Sequence, residues 1–388
     1  MPRSPSIAGA VVTHDPENIV NVKQLCQFVS DTSCPILPIG NSSKTVVDTS
    51  QLDNIQLCSL KSLSGVTAYE PSEFLITARS GTPIAEVQAT LAEHGQYLPF
   101  DPLWTEAKAT VGGTVASGIS GPCRMLYGSI RDFVMEVEFI DGLASAVRGG
   151  GKVVKNAAGF DFPKLLVGSL GRLGILTEVT FKVFPKPECW ASCAVDFTCV
   201  GDCISHVQKL LGQPLPITGA NICSDSGNRA ARLLVRFAGP KNSMPQVLER
   251  AKRVLTRDGR CQHWKTMEQQ DDTAAWRSEL TWINKQEAPG LARIAIEPDH
   301  AAVLDRELQD AGITNVVFWC GGSVCWATVA DEKPWMELRE RASQHRWSAL
   351  AGFQPAHRLS HFGANDWLEP ANRIQRAIDP SHRFLPFQ

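Results

Sequence analysis

Glycines and small hydroxyl residues are concentrated between Thr110 and Asp132, where Gly112, Gly113, Gly118, Gly121 and Gly128 are interleaved with Ser117, Ser120 and Ser129. Side chains this small leave successive peptide N–H groups unobstructed, and in a tight turn such groups form an anion nest suited to a pyrophosphate. Gly168, Gly171 and Gly174 form a further cluster, and Gly40, Asn41, Ser42, Ser43 and Lys44 make a polar loop that a ligand could approach closely. Taken alone, any one of these reads first as an ordinary turn. Together, within one α/β stretch, they point to a phosphate-bearing ligand held by several separated loops. The familiar single-loop motifs do not fit. No Gly-x-Gly-x-x-Gly follows a strand and opens a helix, and Gly151-Lys152 is followed by Val153 where a P-loop needs Ser or Thr.

Two other groupings could do chemistry. Cys189, Cys193, Cys199 and Cys203 cluster in sequence, but Cys193, Val195, Phe197 and Cys199 alternate as one strand face while Cys203 falls in the following helix. They read as buried apolar thiols ahead of a metal or iron–sulfur site. His357 and His361 have helical i, i+4 spacing, which by itself reads as a surface or capping role ahead of a metal site.

The elements that must position the loops are marked by periodicity and punctuation. Asp15, Pro16 and Glu17 suggest the start of a helix reaching Val29, followed by a strand at Ile36 to Ile39. A strand at Phe74 to Ala78 precedes a helix opened by Thr82 and Pro83, whose Ile84, Val87 and Leu91 share a face and which Gly95 ends. Phe133, Met135, Val137 and Phe139 alternate, as do Ile175, Thr177, Val179, Phe181 and Val183, so both runs predict buried strands. Asp141-Gly142 predicts a hairpin into Leu143 to Val147.

Pro185, Lys186 and Pro187 interrupt this pattern and mark a boundary between residues 1–187 and residues 188–388. Beyond it, strands at Ala231 to Phe237, Ala292 to Ile296 and Ser323 to Val329 alternate with helices at Pro245 to Leu255 and Ala301 to Leu308. This predicts an antiparallel sheet covered by helices on one face. A last helix is expected at Asn365 to Ile378, before the tail Phe384 to Gln388.

The balance of the 388 residues, 43% hydrophobic and 20% charged with a net charge of -2, predicts a globular chain and gives no basic excess to draw it onto nucleic acid. No apolar run approaches the ~18 residues of a membrane helix. The twelve cysteines, without a secretion signal, read as reduced thiols, so a cytoplasmic enzyme is expected. Nine of the ten tryptophans lie at or beyond Trp190, where they could pack a core or anchor a partner.

Several segments carry a resemblance: Gly40 to Lys44, Tyr69 to Pro102, ATVGGTVASGISGP followed by YGSIRDFV, Gly150 to Pro187, and Gln213 to Ala220. Their order and spacing are similar to those of the FAD-binding E subunits of bacterial glycolate oxidases, in the vanillyl-alcohol oxidase (PCMH-type) family. The resemblance implies an α+β chain: an FAD-binding domain of two α/β subdomains, then a C-terminal α+β domain, with FAD bound noncovalently between them. It places Gly40, Asn41, Ser42, Ser43 and Lys44 in the first phosphate loop. Thr110, Gly112, Gly113, Ser117, Gly118, Gly128 and Ser129 follow the pyrophosphate toward the isoalloxazine, and Gly174 and Ile175 lie on the adenosine side. Asn41 stands where the family often has glycine, and the tail FLPFQ lacks the family's Asn-Pro-Gly turn.

The resemblance further implies a role in oxidising glycolate or a similar 2-hydroxy acid. The expected partners are a catalytic FAD subunit and an iron–sulfur subunit, with no direct membrane insertion and any membrane contact made through those partners. The histidine-rich motif of the related catalytic subunits is not visible, and no metal is expected. Lys155 and Asn156, in a segment the resemblance singles out, are weak catalytic candidates: a buried lysine there could polarise a flavin carbonyl, or simply cap or pair. A structural subunit whose flavin never meets substrate, and a self-sufficient dehydrogenase, remain as alternatives.

Overall fold

A computed structural model describes residues 19–44, 55–151, 159–225, 230–283, 290–329, 331–352, 360–363 and 366–387. The chain divides into two units. The first comprises residues 1–120, 128–185 and 366–388, and the second residues 121–127 and 186–365. The main crossing coincides with the proline cluster, but the two exchanged segments are long-range features that a single cut near residue 187 does not express.

In the first unit, Ile36–Ile39 pairs in parallel with Gln56–Ser59, and the C-terminal tail extends this pair through a parallel bridge from Phe384 to Ile36. The tail is anchored because buried Asp379 accepts the amides of Arg383 and Phe384, each at 2.8 Å. The helix Val22–Asp31 buries Leu25 and Val29. Its N-cap is Asn21, whose side chain accepts from the Gln24 amide at 3.0 Å. This corrects the expectation of one helix running from Asp15, Pro16 and Glu17 to Val29, because a short polar side chain just before the apolar periodicity begins is the better cap. Asp15, Pro16 and Glu17 themselves lie outside the described residues.

A five-stranded antiparallel sheet in the same unit has the order Val66–Glu70, Leu75–Arg79, Ile175–Lys182, Val134–Ile140, Ala146–Gly150. Ile175–Lys182 occupies the centre and is buried along nearly its whole length, Thr177 and Thr180 included. The Thr180 hydroxyl is satisfied by that of Thr77 at 2.9 Å. The hairpin is wider than a two-residue turn. Asp141 Oδ1 accepts the amides of both Leu143 and Ser145, so the second strand begins only at Ala146. The helix Ile84–Ala92 buries Ile84, Val87 and Leu91, as their spacing predicts.

The second unit is built on nine antiparallel strands in the order His263–Glu268, Cys189–Phe197, Ala231–Gly239, Ile217–Asp225, Asn315–Trp319, Val324–Val329, Gly290–Ala295, Ser348–Gly352, Ser360–Gly363. One face packs against the helices Val200–Leu211, Met244–Thr256, Ala301–Asp310 and Glu332–Gln344, with Cys193, Cys203, Phe237, Phe318 and Ile294 in the shared core. Helices are not confined to that face. Gln270–Trp282 lies on the other, where Trp276 packs with Leu234 and Met267 and donates to Ser192 Oγ at 2.8 Å. Among the described residues no helix is long and apolar enough to cross a membrane.

Candidate functional site

The three glycine-bearing loops of the first unit converge on one short helix, Val111–Ser117. Thr110 caps it, its hydroxyl accepting the Gly113 amide at 3.2 Å. The preceding turn is stitched down by Val111 N–H to Thr82 O at 2.9 Å and Gly112 N–H to Ser80 O at 2.7 Å. A Cβ on Gly112 would stand 2.7 Å from Ser80 Cβ, which no real side chain tolerates, so glycine is required there for packing. Ser80 Oγ and Thr114 Oγ1 are buried beside this contact and have no hydrogen-bond partner among the described residues.

The first loop leaves the carboxyl end of Ile36–Ile39, the end of a parallel strand at which ligands characteristically bind. Gly40 lies against the capping threonine, and a Cβ there would run into Thr110 Oγ1. Asn41, where the resemblance often has glycine, donates from Nδ2 to Lys108 O at 2.9 Å and so ties this loop to the turn before the helix. No protein acceptor meets the amides of Ser42, Ser43 or Lys44 among the described residues. Lys44 keeps some contact with solvent, its Nζ 5.3 Å from the Trp104 ring centre, yet burial lowers its pKa to about 7.

The third loop closes on the far end of the same helix. Gly168 N–H donates to Val115 O at 3.1 Å and Leu170 N–H to Ala116 O at 2.9 Å. Gly118, the C-cap at φ +65°, approaches Gly168 so nearly that a Cβ would stand 3.0 Å from its N and Cα. Gly174 packs on Phe139, and Ile175 is fully buried in the core with Leu25 and Ile36, which leaves only its backbone for a ligand.

The serines are partly committed to the protein. Ser117 Oγ donates to Thr114 O at 3.0 Å, Ser120 Oγ accepts the Ile130 amide at 2.8 Å, and Ser129, after Gly128, forms a capping box with Asp132. Lys155, Asn156 and His357 lie outside the described residues, and so does His361's side chain. Cys193 and Cys203 point into the core of the second unit while Cys199 is exposed at a helix N-cap, so the four cysteines do not converge. Burial raises the Cys193 and Cys203 thiols well above their ordinary range, away from thiolate character.

Two arginines stand out only in the tertiary structure. Arg172, between Gly171 and Gly174, is 6% exposed, and its Nε and Nη1 have no acceptor among the described residues. In the second unit, Arg293 projects from Gly290–Ala295 on the side opposite core residues Ala292 and Ile294, level with Trp326 on the neighbouring strand. Its Nε has no partner among the described residues, and its pKa falls to about 10 through burial and through the nearby Arg124 cation. A basic residue set among glycines or between core alanine and isoleucine was the only available signal.

The first loop therefore offers an extended phosphate ligand the amides of residues 42–44, which have no protein acceptor among the described residues, with the Lys44 ammonium beside them. Residues 10–150 match the family described as FAD binding domain, so this part of the chain carries an FAD-binding domain. Glycolate oxidase subunit GlcE of Escherichia coli (strain K12) is 38% identical over 198 residues, which cover 51% of this chain and 55% of that protein. Glycolate oxidase subunit GlcD of Bacillus subtilis (strain 168) is 28% identical, over 48% of this chain and 39% of that one. The D-lactate dehydrogenase of Anaerostipes hadrus is 29% identical, over 50% and 40%. The matched segments span about half the length of these relatives. A solved alkyldihydroxyacetonephosphate synthase shares the fold, with a TM-score of 0.70, 17% identity, and coverage of 98% of this chain and 76% of that one.

Proposed function

We propose that this chain is the FAD-binding subunit of a glycolate oxidase type complex, oxidising glycolate or a similar 2-hydroxy acid and passing electrons on through an iron–sulfur partner. The observation that carries the reading is the convergence of three glycine loops on Val111–Ser117, in a chain whose relatives include two glycolate oxidase subunits. FAD supplies a two-electron acceptor for the hydrogen removed from the hydroxyl-bearing carbon. The residues of the chain hold and orient. Amides of residues 42–44 and the Lys44 ammonium would face the phosphates; within the second unit, Arg293 and the nearby Arg124 make a cationic pair suited to a carboxylate.

The test is reconstitution. The purified chain should take up FAD near stoichiometrically and release it on acid precipitation. Its flavin should bleach with glycolate or D-lactate once the partner subunits are added, and an artificial dye acceptor should then turn over. A chain that stays colourless with excess FAD overturns the reading, and robust turnover by the isolated chain overturns the need for partners.

Lys44 makes cofactor binding pH-dependent. An unfolded lysine titrates near 10.4, whereas the folded apoprotein's titrates at about 7. Between those values the unfolded chain holds a proton that the folded one lacks, so apoprotein stability rises as pH increases through this window. A pyrophosphate favours the ammonium form, so FAD binding takes up protons above pH 7 and its affinity falls as pH rises from 7 to 9. Calorimetric titration in buffers of different ionisation enthalpy reads the uptake directly. Lys44→Met should abolish both the uptake and the pH slope.

A further inference from the structure

Arg172 sits in the turn that joins the third glycine loop to the central strand of the sheet, where it is buried without a counter-ion among the described residues. Its guanidinium stands over the Phe387 ring at 5.4 Å, and no carboxylate or carbonyl reaches Nε or Nη1 among the described residues. Burial lowers its pKa only to about 10, so it remains a cation at neutral pH. A buried guanidinium left unpaired is strongly unfavourable, and nothing in the backbone requires an arginine here. Its main chain is already held by Gln375, whose Nε2 donates at 2.7 Å both to Arg172 O and to Leu385 O.

Its place in the fold says what the missing anion is. The tail pairs in parallel with the first strand at Ile36 and Phe384, and Leu385 packs with Leu37 and Ile39. Continuing that register sets Phe387 beside Ile39, the last strand residue before Gly40. From the other side, a Cβ on Gly171 would meet Pro38 Cγ at 2.5 Å, so the turn bearing Arg172 also abuts the carboxyl end of this strand. The cation thus stands at the mouth of the first phosphate loop. We propose that Arg172 is the counter-ion of the FAD pyrophosphate, its guanidinium charge compensating the phosphate oxygens at the mouth of this loop. This goes beyond FAD binding as such and is independent of which hydroxy acid is oxidised.

The experiment compares the full chain with Arg172→Met and Arg172→Lys, measuring FAD affinity by flavin fluorescence at several salt concentrations, competition by ADP, and thermal unfolding of the apoproteins. Arg172→Met is expected to weaken FAD and ADP by about tenfold or more. It should also flatten the salt dependence and leave the apoprotein midpoint unchanged or higher, because an unpaired buried charge has been removed. Arg172→Lys should recover part of the affinity, restoring the charge but not the fork. An unchanged FAD affinity in Arg172→Met overturns the proposal, as does a lowered apoprotein midpoint with an unaltered salt slope, the signature of a packing role. Failure of the unsubstituted chain to bind FAD would overturn the cofactor reading itself, a distinguishable outcome.

Discussion

Gly113→Val is expected to purify folded and colourless. A Cβ at this position meets one protein atom within 4 Å, Thr110 Oγ1 at 3.2 Å, and the residue is helical with no left-handed φ. Valine is also the better helix residue by a few tenths of a kcal/mol, so the fold has little reason to object. What the β-branched side chain fills is the space beside the helix start, where the resemblance places the pyrophosphate. Overpacking of this kind costs about 1–3 kcal/mol, a loss of affinity of roughly fivefold to 150-fold. Flavin absorbance per chain, with the circular dichroism melt as the folding control, reads it. A folded variant with full flavin content would show that the cofactor does not run along this loop.

Neighbouring glycines answer a different question. Gly112→Val drives a side chain into Ser80 and should not fold, whereas Gly259→Val strains a φ of +74° in open space and should lose about 1–2 kcal/mol of stability while keeping its flavin.

The second large effect is expected at Arg293. Arg293→Met should raise the KM for the hydroxy acid in the reconstituted complex by roughly thirtyfold to several-thousandfold, the range found when one partner of a hydrogen-bonded charge pair is removed. Flavin content should be unaltered. The apoprotein should be no less stable, since the substitution relieves repulsion with Arg124 and removes a half-buried cation whose Nε has no partner among the described residues. Arg236 is the contrasting case on the same sheet. It donates to Asp272 at 2.7 Å between the rings of Trp190 and Trp276, so Arg236→Met should lower stability and leave KM alone. Steady-state kinetics beside thermal melts separates the two, and an unchanged KM in Arg293→Met removes the carboxylate assignment.

Local chemistry was readable along the chain. Alternation marked Val134–Ile140 and Ile175–Lys182, helical spacing marked Ile84–Ala92, and glycine density marked the loops that converge on Val111–Ser117. These signals survive in one dimension because side-chain periodicity and backbone freedom belong to a residue and its near neighbours. Partnership does not. That Asn21 rather than an earlier aspartate caps the first helix, that Ser117, Ser120 and Ser129 spend their hydroxyls within the protein, and that residues 366–388 return to the N-terminal unit were all settled by packing. Arg172 and Arg293 show the division most clearly. Their positive charge was plain in the sequence, but that Arg172 is buried and Arg293 half-buried, neither with an anion among the described residues, follows only from which strands and turns surround them. Desolvation, unlike periodicity, is produced by residues distant in the chain.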